Sequence, residues 1–143
     1  MLDAYCGIGT IGLIATDSAG KVVGVETNKD AVMDAIANAK NNNVTNCLFI
    51  NADTGDYMSQ MADEGIKYKV VFMDSLRTGS DERFIRSLLK MKPARVVYVS
   101  CNPETLKRDL KLLVSEGYKA TAIQPVNMFQ YTEHVETVVL LSK

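Results

Sequence analysis

Chemistry is first expected where a strand-like run ends on a cysteine. Arg95-Val96-Val97-Tyr98-Val99-Ser100 is short and rich in β-branched and aromatic residues, the pattern of a strand buried on both faces. It stops at Cys101-Asn102-Pro103. Pro103 has no amide hydrogen to donate and suits the first turn of a helix, so strand should give way to helix here. In an open parallel sheet, ligands bind at the carboxyl ends of the strands. Cys101 is therefore a candidate nucleophile, although a free cysteine on residue type alone reads equally as a small buried hydrophobe. Asp74 and Glu136 are acids beside two other apolar runs. By themselves they read as a loop acid or helix cap and as an exposed strand residue.

A second constellation opens the chain. Asp3-x-Tyr5-Cys6-Gly7-x-Gly9-x-x-Gly12 contains G-x-G-x-x-G at a point where strand should turn into helix, and Glu26 follows 19 positions after Gly7. Glycines allow a tight turn and close approach of backbone amides to a ligand. An acid at the position of Glu26 can accept hydrogen bonds from ribose hydroxyls. The spacing fits a dinucleotide site as well as an S-adenosylmethionine site. Asp3 tilts the balance, because it would repel a pyrophosphate yet can receive an ammonium group. Asp53 stands where an exocyclic adenine amine could bind, or where it would cap a helix. Cys6, inside the turn, is expected to pack rather than react.

Three ordered motifs carry a resemblance. Ser100-Cys101-Asn102-Pro103-Glu104-Thr105-Leu106-Lys107-Arg108-Asp109-Leu110 resembles the S-C-N-P-x-T-x-x-R-D-L signature of the RNA uridine-5-methyltransferases. His134-Val135-Glu136 resembles that family's H-V-E, and Asp3-Ala4-Tyr5-Cys6-Gly7-Ile8-Gly9-Thr10 its D-x-Y-C-G-x-G-T cofactor turn. The resemblance implies an S-adenosylmethionine-dependent methylation of carbon 5 of a uridine in RNA, rRNA ahead of tRNA. It implies Cys101 as the nucleophile that adds to carbon 6, Glu136 as the base, and Asp74 as an acid at the uracil edge or holding the reacting groups together. Asp3, Tyr5, Gly7, Gly9, Glu26, Asp53 and Asp74 would bind the cofactor. Two stretches depart from the family pattern: D-P-P-R-x-G reads Asp74-Ser75-Leu76-Arg77-Thr78-Gly79, and D-x-F-P-x-T reads Asn127-Met128-Phe129-Gln130-Tyr131-Thr132. Loss of the prolines is expected to loosen the 75–79 loop. Arg108-Asp109 reads equally as an exposed helical charge pair and receives no catalytic role. Two other classes stay open: a cofactor- or RNA-binding module without catalysis, and a nicotinamide-dependent oxidoreductase.

The elements that must position these residues follow from periodicity. Strands are expected at Lys21–Glu26, Cys47–Asn51, Tyr68–Asp74, Arg95–Ser100, Tyr118–Pro125 and His134–Leu141. Helices are expected at Lys29–Asn41 (Ala31, Val32, Ala35, Ile36 and Ala39 inward), Thr54–Glu64, Asp81–Met91 (Phe84, Ile85, Leu88 and Leu89 inward) and Glu104–Glu116. Alternation of this kind predicts an α/β, Rossmann-like methyltransferase fold. Its doubly wound sheet would be mostly parallel, covered on both faces, with an antiparallel C-terminal strand pair at one edge. The first strand is cut to two or three residues. Residues 1–143 are accordingly read as a catalytic domain that lacks most of that strand and the upstream RNA-binding regions.

Composition sets outer bounds. A formal net charge of −1 announces no global positive field for nucleic acid, and Lys107, Arg108 and Lys111 read as a solvated helix face. Three cysteines and one histidine fit neither a disulfide framework nor a zinc site, so no metal is expected. Unpaired thiols point to a reducing, cytoplasmic compartment. No apolar run approaches bilayer-spanning length, so no membrane partner is expected.

Overall fold

The computed structural model describes residues 1–75, 77–128, 130–132 and 135–143. Expectations that fall on Leu76, Phe129, Glu133 and His134 lie outside the described residues. Twelve elements alternate: β1 (Leu2–Ala4), α1 (Thr10–Ala15), β2 (Val22–Glu26), α2 (Lys29–Asn41), β3 (Cys47–Asn51), α3 (Thr54–Asp63), β4 (Val70–Asp74), α4 (Glu82–Met91), β5 (Arg95–Ser100), α5 (Pro103–Ser115), β6 (Lys119–Val126) and β7 (Glu136–Ser142).

The strands form one sheet in the order β3-β2-β1-β4-β5-β7-β6. β1 to β5 are parallel, and β7 runs antiparallel to both β5 and β6. The expected antiparallel pair is present, with the last strand of the chain inserted between β5 and β6. Strand order reverses at β1, which lies between β2 and β4, and this opens a crevice at the carboxyl ends of the central strands.

Side-chain alternation divides the sheet into two unequal faces. Leu2, Val23, Val25, Val71, Met73, Val96, Tyr98, Val139 and Leu141 meet Met58 of α3, Phe84 and Leu88 of α4, and Leu106 and Leu113 of α5 in the main core. On the other face, Val32, Ala35 and Ala39 of α2 pack with Cys6 and Phe49 in a smaller cluster. Coverage of both faces, expected from the alternation, is incomplete among the described residues. α1 and α2 contact β1, β2 and β3, while Phe72, Val97, Val99, Val138 and Leu140 are only half-buried and β6 is exposed along its length. Ile36, expected inward, is 47% exposed. It overhangs β3, an edge strand, where the apolar stripe of α2 is wider than the sheet beneath it.

Helix starts follow side-chain chemistry. Asn28 accepts from the amides of Asp30 and Ala31, Asp53 from Asp56, Asp81 from Phe84, and Asn102 from Glu104 and Thr105. Each satisfies a first-turn donor that the helix itself leaves unpaired. Pro103 occupies the first turn of α5, as its missing amide hydrogen allows.

Candidate functional site

The turn from β1 to α1 sits at the crevice. Tyr5, Gly7 and Gly9 all have positive φ (62°, 51° and 84°). That conformation is natural for glycine and strained for tyrosine, a kind of outlier concentrated at functional sites. Beyond Gly7 there is open space, whereas the room left by Gly9 is taken by the Phe49 ring, 2.7 Å from where a Cβ would stand. Gly7 thus faces a potential ligand and Gly9 serves packing. Glu26 closes the turn, accepting from the amides of Gly7 (3.1 Å) and Asn28 (2.8 Å). A carboxylate has further lone pairs to offer a hydroxyl.

Tyr5, Glu26, Asp53, Thr54, Asp74, Thr78, Gly79 and Asp81 line a cleft of about 320 Å³. A larger hollow between α2 and β3, about 580 Å³, is lined by Ile36, Ala39, Leu48 and Phe49 and has no acid. Asp53 combines both of its expected positions, as the N-cap of α3 and as part of the cleft wall. Arg83 ties it to Asp56 and Asp81, holding the amino ends of α3 and α4 together. The ring of Tyr5 lies 5.5 Å from that of Phe84. Burial pushes the Tyr5 hydroxyl well above its ordinary range, so it remains protonated.

Asp3 is 1% exposed. One carboxyl oxygen accepts from the Gly12 amide at 2.7 Å, and the other is buried with no hydrogen-bond partner among the described residues. Gly12 must lack a side chain for this, since a Cβ there would meet the carboxylate at 2.8 Å. Burial pushes the Asp3 carboxyl up to about 7; the Gly12 amide opposes the rise and the Asp74 charge adds to it. Among the described residues no cation is paired with Asp3, and its unpartnered oxygen has the chemistry to accept from an ammonium group, while Asp3 itself lies behind the cleft wall rather than in it.

Strand register brings the reactive candidates to one rim. Asp74 pairs with Val99, Val99 with Val138, and Ser100 with Thr137. Paired residues share a face, and the face alternates along each strand. Asp74, Val99 and Glu136 therefore project from the same side as Asp3, which pairs with Phe72 of β4. The last pair of the β5–β7 register is Ser100–Thr137, so Cys101 directly follows it on one chain segment and Glu136 directly precedes it on the other. The carboxyl of Glu136 is raised by burial and then by Asp74, and that of Asp74 by burial. Cys101 is half-buried, one residue before the N-cap of α5. Burial pushes the thiols of Cys6 and Cys47 up to about 12 and about 11, so neither competes as a thiolate near neutral pH.

One reading of residue types is corrected. Asp109 is 4% exposed, not part of an exposed charge pair. It accepts from the Tyr98 hydroxyl (2.6 Å), the Ser80 amide (3.3 Å) and Arg108 Nε (2.8 Å). Tyr98 lies on β5 and Ser80 in the loop after β4, so the partners that bury it are remote in the chain, and its local partner Arg108 does not report the burial. The loop expected to be loosened by loss of its prolines keeps a side-chain contact at its start. Ser75 is 5% exposed and donates to Tyr98 at 3.2 Å, fastening the segment without proline. Thr54, Thr78, Gly79 and Asp81 of the cleft wall also escaped the sequence reading. Their one local signal was the helix-capping pattern at Asp53 and Asp81.

A family model for tRNA (uracil-5-)-methyltransferases matches residues 1–143. An uncharacterized RNA methyltransferase of Enterococcus faecalis is 45% identical over 143 residues, covering 100% of this chain and 31% of the relative. One of Bacillus cereus is 47% identical over the same length, again 31% of the relative. The chain thus spans about a third of the length of the curated relatives it matches. The crystal structure of Pyrococcus abyssi tRNA (uracil-54, C5)-methyltransferase in complex with S-adenosyl-L-homocysteine superposes with a TM-score of 0.84 at 35% identity, over 98% of this chain and 33% of that one. TrmN from Thermus thermophilus, at 22% identity and a TM-score of 0.73, shares the fold. Agreement with the family model over residues 1–143 shows that this chain belongs to the tRNA (uracil-5-)-methyltransferase family.

Proposed function

We propose that residues 1–143 form the catalytic domain of an S-adenosylmethionine-dependent RNA methyltransferase that modifies carbon 5 of a uridine. What supports this is the β5–β7 register, whose last pair, Ser100–Thr137, lies next to Cys101 and Glu136, with Glu136 on the strand face shared by Asp74 and Asp3. Asp3 would receive the cofactor's ammonium group, with Tyr5, Gly7, Glu26, Asp53 and Asp74 around the rest of it; Gly9 contributes by letting Phe49 pack beneath the turn. When bound, S-adenosylmethionine supplies an electrophilic methyl group.

Carbon 5 of uracil is a poor nucleophile. The Cys101 thiolate adds to carbon 6, forming a carbon–sulfur bond and pushing the ring's electron pair toward an enolate whose carbon 5 is nucleophilic. Once carbon 5 carries the methyl group, Glu136 removes its proton. The electron pair re-forms the ring double bond and expels the thiolate. A carboxylate whose affinity for protons is raised by burial and by a neighbouring acid suits that step. Asp74, in the lining of the cleft, would meet the uracil edge. Three free thiols go with a reducing cytoplasmic compartment. Among the described residues no helix is long and apolar enough to cross a membrane, and no group of three acids, thiols or imidazoles could hold a metal ion.

The test uses the complete gene product, labelled S-adenosylmethionine, and rRNA and tRNA substrates in separate arms. Cys101→Ala is expected to lower transfer by roughly 10³-fold or more. Glu136→Gln is expected to accumulate a covalent protein–RNA adduct that survives denaturing electrophoresis, because addition proceeds while proton removal does not. Undiminished transfer by Cys101→Ala would defeat the nucleophile assignment, and full turnover by Glu136→Gln would remove the base. Cofactor binding with no transfer to either RNA would favour a non-catalytic module.

A further inference from the structure

Ser75, Arg77 and Ser80, in the loop that follows β4, are each linked to α5. At the loop's start, Ser75 donates to the Tyr98 hydroxyl, which donates to Asp109. In its middle, the Arg77 carbonyl accepts from Asn102 Nδ2 at 3.0 Å and Thr105 Oγ1 at 3.5 Å. At its end, the Ser80 amide donates to Asp109 and the Ser80 carbonyl accepts from Arg108 at 3.3 Å. Gly79 has φ +81°, and a Cβ there would lie 2.5 Å from an Arg108 nitrogen and 3.1 Å from an Asp109 oxygen, so loop and helix meet without clearance. Burial and the Asp109 carboxylate push the Tyr98 hydroxyl up to about 12, which keeps it a donor.

This loop supplies Asp74, Thr78, Gly79 and Asp81 to the cleft, and α5 begins two residues after Cys101. One buried carboxylate therefore joins the cleft wall to the helix that presents the thiol. We infer that Asp109, with Tyr98 and Arg108, is a positioning residue that fixes the cleft relative to Cys101, acting through loop and helix rather than on the reacting atoms. The inference rests on the cleft being an S-adenosylmethionine site. Removing Asp109 leaves the Tyr98 hydroxyl and Ser80 amide without their acceptor, and both ends of the loop lose their anchor together.

The experiment compares Asp109→Ala, Tyr98→Phe and the surface control Arg86→Ala in the complete gene product, at a temperature where circular dichroism shows each folded. Hydrogen exchange is followed in residues 77–81 and 101–105, and S-adenosylmethionine binding by calorimetry. Asp109→Ala is expected to speed exchange in both segments and to raise Kd roughly tenfold. Tyr98→Phe is expected to act in the same direction by about threefold, and Arg86→Ala to change neither. Faster exchange confined to 77–81, with Kd unchanged, overturns the inference, as does no change at all. If Asp109→Ala does not fold, Tyr98→Phe decides. Wild-type protein that binds no S-adenosylmethionine defeats the cofactor reading instead, and joint loosening of 77–81 and 101–105 then decides the coupling by itself.

Discussion

A carboxyl group taken out of water holds its proton unless a cation or several donors meet it. Asp3 has one amide donor and a neighbouring acid, and its carboxyl is pushed from an ordinary value of 3.8 to about 7. Between those values the folded chain binds more protons at this site than the unfolded chain. Stability from Asp3 is therefore present below about pH 4 and is lost as pH rises through about 7. In thermal melts of the ligand-free protein, Asp3→Asn is expected to remove this component of the pH dependence. Cofactor affinity runs the opposite way, because an ammonium ligand favours the ionised acid, so wild-type binding is expected to strengthen from pH 5 toward pH 8. A binding profile flat over that window would exclude Asp3 as the ammonium partner. The tie between Asp3 and the glycine turn was legible in the sequence because the two are close neighbours in the chain. Asp109 was not: an Arg-Asp pair on a helix looks like surface charge, and only contacts with Ser80 and Tyr98, 29 and 11 residues away, reveal it as buried.

At the scale of elements, Asn102 does two separable things. Its side-chain oxygen accepts from the amides of Glu104 (3.0 Å) and Thr105 (3.5 Å), while its amide nitrogen donates to the Arg77 carbonyl. Asn102→Asp keeps the cap and deletes the donor to the loop; Asn102→Ala deletes both. In urea denaturation, Asn102→Ala is expected to cost about 1–2 kcal/mol and Asn102→Asp about half as much. Equal losses would mean that the loop contact, not the cap, dominates. Caps of this kind also explain which boundaries the sequence placed well. α2 and β5 begin and end as periodicity predicts, since Asn28 and Asn102 mark the helix starts chemically. Strand limits depend on neighbours instead. β4 begins at Val70, not Tyr68, because its ladder to β5 starts at the Val70–Arg95 pair. Tyr118, expected in β6, is 1% exposed and donates to the Pro93 carbonyl at 2.8 Å, so the strand starts after it.

Taken whole, the molecule is asymmetric across its sheet, and the glycine turn is attached to the thinner side. α3, α4 and α5 share a continuous core with strand residues such as Leu2, Val71, Val96 and Val139 beneath them, whereas α1 and α2 rest on the small cluster around Phe49, Ala35 and Cys6. Opening free energy follows buried apolar contact, so elements with fewer such contacts open without global unfolding. Native-state hydrogen exchange is expected to show α1 and α2 amides exchanging through low-energy local openings, with α4 amides exchanging only on global unfolding. The sequence pattern made α2 and α4 look alike, since each has an apolar stripe; it could not report how much sheet lies under each. Saturating S-adenosylmethionine should then protect α1 and the amino end of α2 more than α4, because Asp3–Gly12 and Glu26–Gly7 tie the proposed ligand site to these elements and a ligand stabilises whatever must be closed for it to bind. Equal protection of α1 and α4 in the free protein would show that the smaller cluster is as cooperative as the main core. Added protection confined to α4 and α5 would place the ligand away from the glycine turn.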